Sequence, residues 1–303
     1  MDLPATGHEP VLVEQVLDSL QPSPGQTLID CTLGRAGHAL RIAERLGPTG
    51  TLVGLDVDPR NLEFAQQRLA GVPCRVRLFH ANFAELNDVI DQLNADAARG
   101  VDGIFADLGL STNQLFDPHY GLSFAQEMPL DMRIDPRIKK TAADYVNSLT
   151  ETDLANVLYE LAQERYSRRI ARKIAEARRI SPITSTERLA ELVRLAIPSR
   201  HGSRDTIDPA TRSFLALRMK VNREMENLEA LLEQAPRFLK RGGRLGIISF
   251  QSMEGRKVKQ AFRSMEQTGY LRAVTKKPLV PSDTEIQANP RSRSAKLRVA
   301  EKV

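Results

Sequence analysis

The sequence predicts an α/β fold whose parallel sheet is interrupted by an all-helical insertion, and three observations carry that prediction. From about residue 27 to 110, short apolar runs alternate with amphipathic stretches, the rhythm of parallel strands joined by crossover helices. That rhythm then stops, and for roughly a hundred residues the periodic segments are helical with no β-branched run. Beyond them RLGIISF resumes the sheet, and YLRAVTKKPLVP and SAKLRVAEKV read as two more strands closing an edge.

In order, TLIDCTLG reads as the first strand, GHALRIAERLG as a helix and GTLVGLDVD as the second strand. PRNLEFAQQRLAG is a helix with Pro59 in its first turn, where a missing N–H costs little. CRVRLFHANF, AELNDVIDQLN and VDGIFADLGL supply a third strand, a third helix and a fourth strand. In the insertion, Thr150 and Thr186 stand at N-cap positions ahead of DLANVLYELAQ and ERLAELVRLAI. Phe214, Leu217, Val221, Met225, Leu228, Leu232, Ala235 and Leu239 repeat at three and four, predicting one long helix that ends at Gly242 and Gly243. The expected division is a core segment over 1–115, a helical domain over 116–208 and a second core segment over 209–303.

Composition narrows the function classes. At 303 residues and 41% hydrophobic content, the chain has room for one large domain or two modest ones. No stretch approaches the roughly 18 uninterrupted apolar residues of a membrane helix. The opening MDLPATGHEP lacks the regions of a signal peptide, so a cytoplasmic chain without a membrane partner is expected. Two cysteines, Cys31 and Cys74, build neither a disulfide framework nor a zinc site, and the five histidines lack ligand-like spacing, so no metal is expected. A net charge of +5 permits an anionic partner without requiring one.

Open parallel sheets bind ligands at the carboxyl ends of their strands, so candidate residues should follow strands. After the first strand comes Gly34-Arg35-Ala36-Gly37-His38, either a ligand-contacting loop with N–H groups to offer or simply a tight strand-to-helix connection. The second strand ends in Asp56-Val57-Asp58. Asp56 suits a ribose diol, presented by both NAD and S-adenosylmethionine, whereas Asp58, directly before Pro59, suits a helix cap. Phe83 closes the third strand, where a ring serves either the core or an adenine face. Asp107 follows the fourth strand at the centre of the ligand edge, where an unpaired buried carboxylate would be costly and a solvated or liganded role is favoured. In methyl transfer to an exocyclic amine, an acceptor at that point would bind the amino protons and take up developing positive charge. Asp107 is the candidate for that catalytic role, with anchoring of a cofactor amino group as its alternative.

TLGRAGH, LDVDP, DGIFADLGLSTNQL, YGLSF, PLDMR, DPATRSFLALR, VNREM, GGRLGIISF and NPRSRSAKLR follow one another in register, after His8-Glu9-Pro10-Val11-Leu12. In these motifs the chain resembles the small-subunit methyltransferase H family, S-adenosylmethionine-dependent enzymes that modify the N4 of a decoding-region cytidine in bacterial 16S ribosomal RNA. The resemblance implies a class I, Rossmann-like methyltransferase core with an inserted helical substrate-recognition domain. It also implies S-adenosyl-L-methionine held by Ala36, Gly37, His38, Asp56, Phe83, Asp107 and Gln114. Asp131 and Arg133 in PLDMR, with Arg212, Arg218 and Asn222, look like substrate-cleft residues. The chain departs from the family pattern where SFHSLEDR becomes Ser249-Phe250-Gln251-Ser252-Met253-Glu254-Gly255-Arg256, losing a histidine and an aspartate. Ala36 replaces a glycine, GEER becomes Ala162-Gln163-Glu164-Arg165, and HPATR begins with Asp208.

Residues 165 to 179, RYSRRIARKIAEARR, carry seven Arg or Lys against one Glu, and Arg168, Arg169, Arg172 and Lys173 fall on adjoining helical turns. They form either a phosphate-contacting face or a solvated helix surface. Arg291, Arg293, Lys296 and Arg298 add a second basic patch. The expected partner is 16S ribosomal RNA within the small subunit or an assembly intermediate, with the cytidine splayed from its neighbours, and a homodimer stays open. Three readings follow: the N4-cytosine methyltransferase, a diverged RNA-binding assembly factor motivated by Gln251 and Gly255, and a nicotinamide-dependent oxidoreductase suggested only by the glycine turn and Asp56.

Overall fold

The computed structural model describes residues 10–93, 100–198 and 208–303, so His8, Glu9 and Asn94 of the segments above lie outside the described residues. The chain forms two compact units, Met1–Ser111 with Met225–Val303, and Thr112–Glu224.

The first unit is built on a seven-stranded sheet of order β3-β2-β1-β4-β5-β7-β6. Its strands are β1 (Thr27–Asp30), β2 (Thr51–Asp56), β3 (Arg75–His80), β4 (Val101–Asp107), β5 (Leu239–Ser249), β6 (Leu271–Ala273) and β7 (Lys296–Lys302). The first five run parallel, and β7 runs antiparallel between β5 and β6. Strand order therefore reverses between β1 and β4, which sets a ligand crevice at their carboxyl ends. This is the Rossmann-like α/β architecture expected, with β7 inserted inside the edge. YLRAVTKKPLVP contributes the three residues of β6 and an isolated bridge from Leu279 to Leu297.

β1 and β2 are buried along their whole length because both faces are covered. Leu28 and Leu52 pack on Ala39, Ile42 and Leu46 of α2 (Gly37–Leu46) and Ala65 of α3 (Pro59–Arg68). Ile29 and Val53, one residue on, pack in the opposite layer with Leu86 and Val89 of α4 (Leu86–Leu93). β3, at the edge, is only partly buried.

The second unit holds α5 (Thr112–Phe116), α6 (Ala142–Ser148), α7 (Glu151–Ala162), α8 (Ser167–Arg178), α9 (Thr186–Ala196) and α10 (Thr211–Val221). Leu154 and Leu158 of α7, Ile170 and Ile174 of α8, Leu189 and Val193 of α9 and Leu217 of α10 are fully buried. Thr150 caps α7 by accepting the Asp153 N–H at 3.1 Å. The cap of α9 is Ser185, which accepts from Arg188 N at 3.2 Å, not Thr186. The Thr186 hydroxyl is buried and takes the Met128 N–H at 3.1 Å, fastening the segment before α6 to the start of α9.

The long helix read from one apolar stripe is two. α10 ends at Val221 and α11 (Glu224–Phe238) begins after Arg223, whose φ of 52° is left-handed. α11 stops at Phe238 rather than at the glycine pair, because Leu239 already pairs with Val101 in the sheet. Gly242, at φ 80°, lies inside β5. The second division between the units falls at Glu224, so α10, assigned by the sequence to the core segment 209–303, packs on α7 in the helical unit.

Candidate active site

Three acids end three neighbouring central strands: Asp30 on β1, Asp56 on β2 and Asp107 on β4. The turn after β1 is pulled onto this edge by backbone bonds from Cys31 N to Phe105 O at 2.8 Å and from Leu33 N to Leu55 O at 2.9 Å. Gly34 (φ 51°) and Ala36 (φ 58°) both sit in the left-handed region, letting α2 start directly behind the strand. Alanine holds that conformation at a cost of about 1–2 kcal/mol. Gly37 lies so close to Pro10 that a Cβ would approach its ring to 3.1 Å.

Asp56 is tied into the turn. Its Oδ2 accepts the Gly34 N–H at 2.7 Å and an Asn61 amide hydrogen at 3.3 Å, and its Oδ1 accepts the Asp58 N–H at 2.8 Å. Of about four acceptor positions on a carboxylate, three are filled and one is left for a ligand hydroxyl. Burial pushes the Asp56 carboxyl up to about 6, against the hydrogen bonds from Asp58 and Gly34. Asp58 caps α3 through Arg60 N at 3.0 Å, as Pro59 led one to expect.

Asp30 was not singled out from the sequence, although the rule that found Asp56 and Asp107 applies equally to it: it is the acid ending a strand. It is 2% exposed, and burial pushes its carboxyl up to about 7. Its Oδ1 accepts the Thr32 N–H at 3.1 Å, while the Thr32 hydroxyl accepts the Asp107 N–H at 2.6 Å. Asp107 is the least compensated of the three. Its Oδ1 is buried with no hydrogen-bond partner among the described residues, and its Oδ2 lies 3.7 Å from His38 Nδ1. Burial, then the charges of Asp30 and Glu254, hold its carboxyl well above the ordinary carboxylate range.

Glu254 reaches this edge from α12 (Ser252–Gln267) and is 4% exposed, its Oε2 accepting the N–H groups of Phe250 and Gln251 at 3.0 Å each. A Cβ on Gly255 would come within 3.1 Å of the Ser249 hydroxyl, so the turn is closely fitted around the glycine this chain carries there. Phe83 is partly buried and packs against the core cluster on the α4 side, at the start of a short 3-10 turn capped by Asn82. This single edge thus gathers Ala36, Gly37, His38, Asp56, Phe83 and Asp107. The donor and acceptor set suits S-adenosylmethionine: an acceptor position for a ribose hydroxyl at Asp56, and a buried acceptor awaiting a donor at Asp107 Oδ1.

The remaining predicted residues belong to the helical unit. Gln114, on α5, is 4% exposed. Asp131 and Arg133 form a bidentate pair, Nε to Oδ1 at 2.7 Å and Nη2 to Oδ2 at 2.8 Å. Arg218 pairs likewise with Glu224, at 2.7 and 2.8 Å. Asn222, 8% exposed, accepts from Ile134 N at 3.0 Å and donates to Met132 O at 2.8 Å, fastening the PLDMR segment to the end of α10. Arg212 is exposed in the first turn of α10. On α8, Ile170, Ala171 and Ile174 face the core while Arg168, Arg169 and Arg172 are exposed. Arg178 is diverted from that face, donating to Val146 O and Leu149 O at 2.6 Å each. In the first unit Arg291, Arg293 and Lys296 are exposed and Arg298 is half-buried. Among the described residues no group of His, Cys, Asp and Glu is placed to hold a metal, and no helix is long and apolar enough to cross a membrane.

Comparison with known proteins places this geometry. A family model described as the MraW methylase family matches residues 5–303. The chain is 44% identical to the ribosomal RNA small subunit methyltransferase H of Desulforapulum autotrophicum, over 98% of this chain and 99% of that one. It is likewise 44% identical to the protein of that name from Acidobacterium capsulatum, over 97% and 98% of the two chains. A third, from a Synechococcus strain, is 48% identical over 97% and 94%.

Proposed function

Because the chain belongs to the MraW methylase family, we propose that it transfers the methyl group of S-adenosylmethionine to the N4 amine of a decoding-region cytidine in 16S ribosomal RNA. The observation that carries the reading is Asp107 Oδ1, a buried acceptor without a partner among the described residues at the point where strand order reverses. The cofactor, when bound, supplies an electrophilic methyl group on a sulfonium centre. Ala36, Gly37 and His38 would border it, Asp56 would take a ribose hydroxyl and Phe83 would give an apolar face.

Asp107 then does the chemical work. The N4 lone pair of cytosine is delocalised into the ring and is a poor nucleophile. A carboxylate accepting from the amino group concentrates that lone pair and takes up the positive charge that grows as the new bond forms. A cation nearby favours the ionised form of Asp107, countering the burial that keeps it protonated.

The helical unit is the substrate-recognition domain in this reading. Arg168, Arg169 and Arg172 form a phosphate-contacting face, Arg291, Arg293 and Lys296 a second one, and Arg212 is a further cation offered to the RNA, while the Asp131–Arg133 pair and Asn222 hold the PLDMR segment in place. The target is the RNA of the small subunit or of an assembly intermediate.

Incubating the protein with methyl-labelled S-adenosylmethionine and small subunits lacking the modification, followed by nucleoside mass spectrometry, tests the proposal. N4-methylcytidine is the expected product. Cofactor binding without transfer would instead favour an assembly factor on the same fold, as the departures at Gln251 and Gly255 suggest, and Gln251→His would be the first reversion to make.

A further inference from the structure

His38 is more than a residue of the cofactor turn. It lies on the first turn of α2, is 6% exposed, and packs against the Phe105 ring at a centroid distance of 4.9 Å. Its Nε2 lies 2.8 Å from the backbone carbonyl of Val11. A carbonyl only accepts, so Nε2 carries the hydrogen, and in the neutral ring the basic lone pair is then on Nδ1. Nδ1 is the atom facing Asp107, 3.7 Å from Oδ2. That distance is somewhat longer than a hydrogen bond, as catalytic contacts often are before substrate binds. Among the described residues, Asp30 from β1, Asp56 from β2 and Glu254 from α12 bring carboxyl groups to the same edge.

We propose that His38 is the proton-relay partner of Asp107, receiving at Nδ1 the proton that leaves the substrate amine. This rests on the methyl-transfer reading above. The amine nitrogen bonds to the methyl carbon while the carbon–sulfur bond breaks, its electron pair going to sulfur. The methylated amine, now cationic, gives one N–H proton to the Asp107 carboxylate. Asp107 passes that proton to His38 Nδ1, leaving a neutral methylamino product, an ionised Asp107 and an imidazolium whose Nε2–H stays on Val11 O. His38 acts through Asp107 and positions no atom of the base itself.

The test begins with the ligand-free protein. Nitrogen-15 NMR of labelled histidine, with the His38 signals assigned from a His38→Gln spectrum, reads the tautomer directly. Hydrogen on Nε2 and a titration of Nδ1 that moves when Asp107 is changed to Asn are expected; hydrogen on Nδ1, or a titration indifferent to Asp107→Asn, would overturn the proposal. His38→Gln keeps a donor for Val11 O but offers no basic nitrogen. At saturating S-adenosylmethionine, its single-turnover rate should fall by roughly a hundredfold. The acid limb of the wild-type pH profile, where rate rises as the imidazole loses its proton, should vanish. An unchanged rate and profile would refute the relay. Should the variant fold poorly, the tautomer and the Asp107→Asn titration still decide the matter on a folded histidine. If wild-type protein transfers no methyl group at all, the functional reading fails on that ground alone, while the NMR result speaks separately for the pair.

Discussion

The sheet edge of the first unit and the ion pairs of the helical unit treat carboxylates differently. On the helical unit's Asp131–Arg133 and Arg218–Glu224 pairs, each carboxylate meets a guanidinium in a bidentate bond, and Asp135 is matched in the same way by Arg137 at 2.7 Å. At the sheet edge of the first unit, Asp30, Asp56, Asp107 and Glu254 converge, and Asp107 keeps an oxygen without a partner. A paired ion holds a segment in place, whereas an uncompensated buried acid is a standing cost that a ligand removes. The contrast separates scaffold from chemistry.

The contrast is broken or sharpened by substitution. The largest effect is expected at Asp107. Asp107→Asn should lower single-turnover methyl transfer by roughly a thousandfold while raising the melting temperature of the ligand-free protein above neutral pH, since it removes a buried acid that must otherwise ionise. Turnover within tenfold of wild type would exclude an essential charge there, and cofactor affinity measured alongside separates anchoring from catalysis.

Asp30 should make stability depend on pH between about 4 and 7. Its folded carboxyl, near 7, holds its proton more tightly than the unfolded chain does near 3.8. Its stabilising contribution is therefore complete at low pH and is lost as pH rises from about 4 through 7, on the order of 4 kcal/mol in all. Denaturant titrations across that window should show the decline in wild type and a flatter curve in Asp30→Asn. An equal slope in both would contradict the assignment.

In the helical unit the expected effects come from packing and satisfied hydrogen bonds. Gly121 has φ 60°, and a Cβ there would lie 2.0 Å from the Pro129 carbonyl oxygen, so Gly121→Ala should cost about 3 kcal/mol or more by chemical denaturation. Asn222→Ala should cost about 2 kcal/mol, because it strands the Ile134 N–H and the Met132 carbonyl. A change under about 0.5 kcal/mol there would mean that solvent satisfies both groups.

The sheet was legible because central parallel strands are continuous apolar runs, and the strand-end rule led from them to Asp56 and Asp107. Asp30 was legible by the same rule and was passed over because Cys31 and Thr32 continue the run without a visible break. The division of α10 from α11 was hidden for a different reason. Val221 and Met225 keep the four-residue spacing across the break, and arginine at position 223 gives no sign of a left-handed backbone. Thr186 misled because serine and threonine stand side by side, and only the burial of the Thr186 hydroxyl against Met128 N decides which of them caps α9. The approach of Asp107 to His38 and to the charge of Glu254 depends on elements far apart in the chain, and no local pattern announces it.

The most direct test of the uncompensated edge is a carbon-13 NMR titration of the Asp107 carboxyl in the ligand-free protein, assigned by comparison with Asp107→Asn. A carboxyl that ionises well above the ordinary carboxylate range, and whose titration moves down when S-adenosylmethionine is added, is the result expected. A carboxyl that ionises near pH 4 with no ligand present would contradict it.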